Sequence, residues 1–140
     1  MSDRDTRGPT RVLVVDDEAD FLATYERLFG RQGYEVITAT SRAAGLAAVR
    51  TATGAHRLDL VISDLRLPDG DGLDVVRAAR GTTDPPAVIV VTGYPSEETR
   101  RAATAAGASA FFAKPFAAAA LLEAVRASLT SLPRNADQRR

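Results

Sequence analysis

Residues 11–15 read RVLVV, and this short apolar run, rich in β-branched side chains, decides the fold. Two further runs of the same kind occur at residues 59–63 (DLVIS) and 87–91 (AVIVV). Strands of a parallel sheet are covered on both faces, and their sequences are therefore continuously apolar instead of alternating. We predict that the three runs are buried strands of a parallel sheet.

Segments with helical spacing follow these runs, so that short strands and helices alternate along the chain. The remaining strands are predicted at residues 34–38 and 109–113, and the loops at residues 54–57, 68–72 and 81–86. The helices are predicted at residues 18–31, after a cap at Ser41, at residues 73–80, from Pro95 to about residue 106, and at residues 117–132. Five βα units in a row predict a single doubly wound α/β domain, a (βα)5 fold with a five-stranded parallel sheet of strand order 2-1-3-4-5.

Length and composition limit what the chain can do. With 140 residues it suits one domain, predicted at residues 11–132 between disordered tails at 1–10 and 133–140. Eighteen basic residues balance eighteen acidic ones, so we expect no direct binding to nucleic acid or to a membrane. The absence of cysteine excludes disulfides and thiolate sites, and no apolar segment resembles a signal peptide or a membrane span. These features favour a cytoplasmic protein.

Polar side chains stand where the predicted strands end. Asp16 and Asp17 follow the first strand, Asp64 the third, Thr92 the fourth and Lys114 the fifth. Ligand sites of such sheets lie at the carboxyl ends of the strands, beside the point where the strand order reverses. Lys114 is also the only lysine, against seventeen arginines, which suggests a site that needs a compact ammonium. We expect these five side chains to share one pocket.

The residue types in this set suit phosphoryl transfer. Clustered carboxylates repel one another and attract a dication, and Mg²⁺ prefers oxygen ligands. A carboxylate can also act as a nucleophile and form an acyl phosphate. The oxygens of the transferred phosphoryl group would then be neutralised by Mg²⁺, by the ammonium of Lys114, and by the hydroxyl of Thr92 with nearby backbone N–H groups.

Each residue taken alone also has an ordinary structural interpretation. Asp16 or Asp17 could cap the first helix, Asp64 could be a loop carboxylate, Thr92 could simply end a strand, and Lys114 could be solvated. These interpretations are weak when combined, because five independent coincidences would have to lie on one rim of the sheet.

Four segments of the chain resemble the signature blocks of two-component response-regulator receiver domains. They are VLVVDDE at residues 12–18, VISDLRLPDGDGL at 61–73, VVTG at 90–93 and FFAKPF at 111–116. The resemblance covers about residues 11–132 and implies a role for each matching residue. Asp64 would be the phosphoacceptor, with Mg²⁺ held by Asp16, Asp17, Asp64 and the backbone carbonyl of Arg66. Thr92 and Lys114 would bind phosphoryl oxygens, Phe111 would be the switch aromatic, and Pro115 is the candidate for a cis peptide bond.

The implied function is a signalling switch that depends on phosphorylation. A sensor histidine kinase, a phosphotransfer protein or a small phosphodonor would supply the phosphoryl group. The signal would then reach a downstream effector or a fused output domain through the face formed by the fourth helix, fifth strand and fifth helix. The chain would not be an enzyme beyond its own phosphotransfer and slow autodephosphorylation. Slow dephosphorylation is expected because the bulky Arg66 and Tyr94 flank the path of the hydrolytic water in this family.

Two other functions stay open. The first is an interaction module that uses the same fold without phosphorylation, although such modules typically lose some of the acidic or lysine positions. The second is a phosphatase of the aspartyl-phosphate type. That class needs an Asp-x-Asp pattern after the first strand, whereas this chain has adjacent Asp16 and Asp17 there.

Overall fold

The computed structural model describes residues 8–130, and its elements follow the predicted alternation. The strands of the main sheet are β1 Arg11–Val15, β2 Glu35–Ala39, β3 Leu60–Ser63, β4 Ala87–Thr92 and β5 Ala110–Ala113. The helices are α1 Ala19–Arg31, α2 Arg42–Thr51, α3 Leu73–Arg80, α4 Glu97–Ala106 and α5 Ala118–Thr130. The predicted succession of five βα units is confirmed.

The main sheet is parallel throughout, with the strand order β2-β1-β3-β4-β5 that the sequence predicts. Its register aligns the strand ends. Val15, the last residue of β1, pairs with Ser63, the last residue of β3. Ser63 in turn pairs with Val90 in β4. The residues that follow β1 and β3 are therefore brought side by side by the backbone hydrogen bonds of the sheet.

Helices cover both faces of this sheet, which explains the continuously apolar strands. One face packs against α1 and α5 through Val12, Val14, Leu60, Ile62, Ile89 and Val91, which meet Tyr25, Phe29, Leu121 and Val125. The other face packs against α2, α3 and α4 through Leu13, Val15, Val61, Val88 and Val90, which meet Val49, Val75, Val76, Ala79 and Ala103. These side chains are almost completely buried. The central strands are thus fixed firmly enough to hold polar groups in place at their ends.

The predicted loops contain two short elements. A 3-10 turn occupies Gly54–His56, and the segment predicted as a turn around Pro68 is a small antiparallel hairpin in which Arg66–Leu67 pairs with Gly70–Asp71. The first is about one helical turn and the second consists of two residue pairs. Both are too short to give a periodic pattern of hydrophobic residues in the sequence.

The start of α4 also differs from the prediction. The helix begins at Glu97, after Pro95, because Ser96 is its N-cap. The Ser96 hydroxyl accepts a hydrogen bond from the Thr99 N–H at 3.0 Å, and the Ser96 N–H donates to the Thr99 hydroxyl at 2.9 Å. This reciprocal capping satisfies two backbone groups and places Pro95 outside the helix.

The predicted tails are described only in part. Of residues 1–10 the structure describes 8–10, where the Thr10 carbonyl accepts a hydrogen bond from the Glu35 N–H at 2.8 Å. Residues 131–132, predicted to end the last helix, and the tail at 133–140 lie outside the described residues. Within residues 8–130, no helix combines the length and the hydropathy that crossing a membrane requires.

Candidate functional site

Asp16 and Asp17 lie directly beyond β1 and point to different surroundings. Asp16 is buried, and its Oδ1 accepts a hydrogen bond from the Glu18 N–H at 2.9 Å. Asp17 is exposed at the rim. The N-cap of α1 is Glu18, which makes no capping hydrogen bond with its side chain. A capping role therefore does not explain why two acids stand here.

Asp64 is held at the end of β3 by backbone groups. Its N–H donates to the Val15 carbonyl at 2.9 Å, which continues the ladder between β1 and β3. Its Oδ1 accepts hydrogen bonds from the Leu65 N–H at 2.7 Å and the Arg66 N–H at 3.3 Å. The side chain is only 6% exposed; Oδ1 is fixed by these N–H groups, and Oδ2 contacts the ammonium of Lys114.

Lys114 joins these acids from β5. Its Nζ lies 2.8 Å from Asp16 Oδ2, 2.8 Å from Asp64 Oδ2 and 2.5 Å from Glu18 Oε1. The backbone N–H of Lys114 donates to the Thr92 carbonyl at 2.8 Å, which fixes the exit from the sheet. The following peptide bond, between Lys114 and Pro115, is cis. The single lysine of the chain thus lies at the centre of an acidic cluster.

Burial and pairing act in opposite directions on the ionisation of this cluster. Burial raises the pKa of Asp16 above its ordinary value, and the ion pair with Lys114 and the hydrogen bond from the Glu18 N–H offset only part of that rise. Burial alone would lower the pKa of Lys114, but its contacts with the carboxylates of Asp16, Asp64 and Glu18 outweigh burial and hold that pKa above its ordinary value. Lys114 is therefore a permanent cation at neutral pH.

The carboxylates also satisfy the donor requirements of a metal site. One oxygen from each of Asp16, Asp17 and Asp64 lies within 4.8 Å of the other two. Asp16 Oδ2 is buried, and although it faces Lys114 it receives no well-directed hydrogen bond. Hard dications prefer such oxygen sets, so the three residues could hold one.

An open cleft of about 650 Å³ gives access to this cluster. Its walls come from the loops after β1, β3, β4 and β5, as expected for a doubly wound sheet. The residues that line it include Asp17, Glu18, Asp64, Arg66, Tyr94 and Lys114. The site is therefore accessible to a small ligand or to a side chain from another protein.

Comparison with known proteins agrees with this geometry. Residues 12–126 match the family model described as response regulator receiver domain. The chain belongs to this family. The acid tolerance regulatory protein ActR of Rhizobium meliloti is 39% identical over 125 residues, which are 89% of this chain and 62% of that protein. The chain thus spans less than two thirds of the length of this relative.

Solved structures show the same fold. A CheY-like response regulator receiver domain protein from Methanospirillum hungatei has a TM-score of 0.83 and 30% identity, over 91% of this chain and 99% of that one. A response regulator from Burkholderia pseudomallei, described with a phosphorylated aspartic acid, a calcium ion and citrate, has a TM-score of 0.73 and 29% identity. That match covers 92% of this chain and 69% of the Burkholderia chain.

In this receiver domain, Thr92 adjoins the site through its backbone contact with Lys114, whereas Phe111 lies in β5 and packs on the core. Thr92 is completely buried, and its hydroxyl accepts a hydrogen bond from the Tyr94 N–H at 3.1 Å. Phe111 is half-buried against the core beside α4, where the guanidinium carbon of Arg100 lies 4.8 Å from the ring centroid. Phe111 therefore contacts α4, and Thr92 ends the strand that precedes the loop to α4.

Arg66 and Tyr94 contact each other across the mouth of the cleft. The guanidinium carbon of Arg66 lies 3.8 Å from the centroid of the Tyr94 ring, a cation–π contact. Tyr94 is 58% exposed, and it is the one large apolar residue that is exposed among the described part of the chain. The two bulky side chains therefore form one continuous surface in the cleft that Asp64 also lines.

Two residues of this receiver domain belong to the site but were not predicted from the sequence. Glu18 contacts Lys114, and its place directly after Asp16 and Asp17 was the available signal. Gly72 packs against Asp64. A Cβ on it would lie 1.8 Å from the Asp64 carbonyl oxygen, and its N–H donates to the Leu65 carbonyl at 2.9 Å. In the sequence Gly72 looks like an ordinary turn residue, and no local pattern reveals this close approach.

Proposed function

We propose that this receiver domain is a phosphorylation-dependent signalling switch whose phosphoacceptor is Asp64. The donor is a phosphohistidine of a sensor kinase or phosphotransfer protein, or a small phosphodonor. The observation that carries the proposal is that Lys114 Nζ lies 2.8 Å from Asp64 Oδ2 within a cluster that includes Asp16 and Asp17. The phosphorylated aspartic acid named for the Burkholderia relative supports it.

The chemical step is a displacement at phosphorus. An oxygen of Asp64 forms a bond to phosphorus as the bond from phosphorus to the donor breaks. The electron pair of the broken bond leaves with the donor, as an imidazole that takes up a proton or as acetate from acetyl phosphate. Negative charge on the phosphoryl oxygens is neutralised by Lys114, whose ammonium is already fixed by its ion pairs.

Asp16, Asp17, Asp64 and the backbone carbonyl of Arg66 would hold Mg²⁺ in this proposal. The support is the donor set, since carboxylate and carbonyl oxygens are the ligands that this ion prefers. When bound, Mg²⁺ would supply positive charge to the transferring phosphoryl group. The chain's own contribution is to hold the acids close together at the ends of two paired strands.

The signal would leave the site through Thr92 and Phe111. The Thr92 hydroxyl would move to a phosphoryl oxygen, and Phe111 would fill the space that it leaves. Phe111 has no hydroxyl, so packing alone would favour its inward position. The altered face is the one formed by α4, β5 and α5, which would contact a downstream effector or a fused output domain. Phosphorylation would bias an equilibrium between two existing states.

Incubation with Mg²⁺ and acetyl phosphate, followed by mass spectrometry of the intact chain, tests the proposal. We expect the wild type to gain one phosphoryl group and Asp64→Asn to gain none. Asp20→Asn, which alters an acid on the first turn of α1, is the control and should behave like the wild type. An unmodified wild type would overturn the proposal and favour an interaction module, whereas an equal gain on Asp64→Asn would show that Asp64 is not the phosphoacceptor.

We further propose that the contact between Arg66 and Tyr94 gives the phosphorylated form a long lifetime. The two side chains line the same cleft as Asp64 and are stacked on each other, so together they would hinder the approach of water to the phosphoryl group. Replacing both, as Arg66→Asn with Tyr94→Glu, should shorten the lifetime of the phosphoryl group after the donor is removed. A lifetime equal to that of the wild type would refute this role.

A further inference from the structure

The ammonium of Lys114 already has acidic partners: it donates hydrogen bonds to Asp64 and Glu18 and forms an ion pair with Asp16. It carries three N–H groups, and three carboxylates surround it, from Asp16, Asp64 and Glu18. The side chain of Lys114 is only 5% exposed, so water cannot easily take the place of any of them. A phosphoryl oxygen that approaches Lys114 would therefore compete with these carboxylates for the ammonium.

The three carboxylates differ in how easily they can separate from the Lys114 ammonium. Asp16 is buried and its other oxygen is bound by the Glu18 N–H. Asp64 is buried and is fixed by two backbone N–H groups. Glu18 is 56% exposed, and within residues 8–130 its carboxylate has no ion-pair partner other than Lys114. It can therefore rotate into water, where hydration replaces the lost contact.

From this asymmetry we propose that Glu18 is a displaceable carboxylate that occupies Lys114 before phosphorylation and opposes the arrival of the phosphoryl group. The inference rests on the proposed function at Asp64 and adds a positioning residue to it. Glu18 acts through Lys114, because its carboxylate competes with an incoming oxygen for the ammonium. The residue thus sets how readily the domain accepts phosphoryl groups from small anionic donors.

The candidate metal site does not explain why a glutamate stands at position 18. The acids that lie close enough together to share an ion are Asp16, Asp17 and Asp64, and Glu18 is not in that group. Nor does helix capping explain it, because its side chain makes no capping hydrogen bond although it occupies the N-cap position of α1. The contact with Lys114 is the interaction that its carboxylate makes in the described part of the chain.

The test compares Glu18→Gln with the wild type in two measurements. The first is the rate constant for phosphorylation by acetyl phosphate with Mg²⁺, and the second is the affinity for beryllofluoride with Mg²⁺. Both should rise roughly two- to fivefold, the range expected when a partly exposed ion pair is removed. Glu18→Asp keeps the charge on a shorter side chain and should return both values toward those of the wild type.

Asp20→Asn is the matched control, because it removes the same charge from the first turn of the same helix. Asp20 has no ion pair with Lys114 among residues 8–130, so its substitution should change both values by less than the Glu18→Gln variant does. An equal rise in Asp20→Asn would show a general effect of charge and overturn the inference. The affinity for Mg²⁺ alone should not increase in Glu18→Gln, since only the anion gains a donor.

The result also separates this inference from the proposed function. If the wild type is phosphorylated and Glu18→Gln matches it in rate and affinity, Glu18 has no such role and the function at Asp64 stands. If the wild type accepts no phosphoryl group and binds no beryllofluoride, the proposed function fails and this inference fails with it.

Discussion

The position of Asp64 depends on a residue that has no side chain. Gly72 lies directly against the backbone of Asp64 and Leu65, and its own φ is not in the left-handed region. Glycine is therefore needed here for space and not for an unusual backbone angle. The hydrogen bond from the Gly72 N–H to the Leu65 carbonyl closes the loop between β3 and α3 and holds this approach in place.

Gly72→Ala should consequently be destabilising. The added Cβ would lie 1.8 Å from the Asp64 carbonyl oxygen and 2.8 Å from its carbonyl carbon, so the loop would have to move. We expect a loss of about 2–3 kcal/mol in the free energy of unfolding, measured with urea, since overpacking commonly costs about that much. The move would also misplace the Asp64 carboxylate.

Gly30→Ala is the control for this prediction, because a Cβ at Gly30 would meet no atom within 4 Å. Gly30 lies inside α1, where alanine should leave stability unchanged or raise it by about 0.5–1 kcal/mol. Equal stability of Gly72→Ala and the wild type would contradict the packing argument.

A carboxylate from the loop after β3 caps the start of α2 and so joins two elements near the site. The hairpin after Asp64 carries Asp69, whose two oxygens accept hydrogen bonds from the Arg42 N–H at 2.7 Å and the Ala43 N–H at 2.9 Å. These donors are the first residues of α2. Ser41, the N-cap residue of this helix, also caps it through its own side chain. Arg42 completes the link by pairing with Asp74 of α3 at 2.7 Å. A loop beside the site thus stabilises the start of a neighbouring helix.

This cap predicts a pH dependence at the level of the element. The backbone hydrogen bonds from Ala43 and Arg42 hold the pKa of Asp69 below its usual value near 3.8. A lowered pKa in the folded state means that the stabilisation is fully present above that usual value and is lost as the pH falls through the folded value. The wild type should therefore exceed Asp69→Asn in stability at pH 7.

Denaturant unfolding of the two proteins between pH 2 and pH 7 measures this difference. The difference in free energy of unfolding between the two proteins should disappear at the acidic end. A carboxyl titration followed by NMR should give Asp69 a pKa below its usual value. Asp20→Asn again serves as the control, because Asp20 makes no such contact with a second helix. A gap that stayed constant across the whole range would show that the charge of Asp69 does not contribute to the cap.

On the scale of the whole molecule, the register of the sheet assembles the site. Asp16, Asp64, Thr92 and Lys114 come from four places in the chain, and they meet because β1, β3, β4 and β5 end at the same edge. The two helical layers that cover the strands make this edge rigid. Binding at the edge is therefore expected to stabilise the entire domain and not a single loop.

Addition of Mg²⁺ should raise the thermal unfolding midpoint of the wild type. An ion that binds only the folded chain stabilises it by about 1.4 kcal/mol at ten times its dissociation constant, which corresponds to a few degrees for a domain of this size. Asp17→Asn should lose most of the shift, since Asp17 is one of the three clustered acids. Asp20→Asn should keep it. No shift in the wild type would argue against the metal site.

The sequence by itself determined the order of the elements, the parallel sheet and the edge at which the polar residues lie. Continuously apolar strands and helical spacing are local properties, and the rule for strand ends then places Asp16, Asp64 and Lys114 together. The end of an element differed from the predicted one where a side chain caps a helix, as Ser96 does for α4. Such displacements depend on one or two hydrogen bonds, which a pattern of hydrophobicity does not contain.

Only the tertiary structure decided which groups touch. Glu18 reaches Lys114 and Arg66 stacks on Tyr94 between different loops, and Gly72 lies against Asp64 at the two ends of one loop. The Asp69 cap on α2 is of the same kind. Their distances follow from how the loops pack on the finished sheet, and that packing is a property of the whole chain and not of any segment within it.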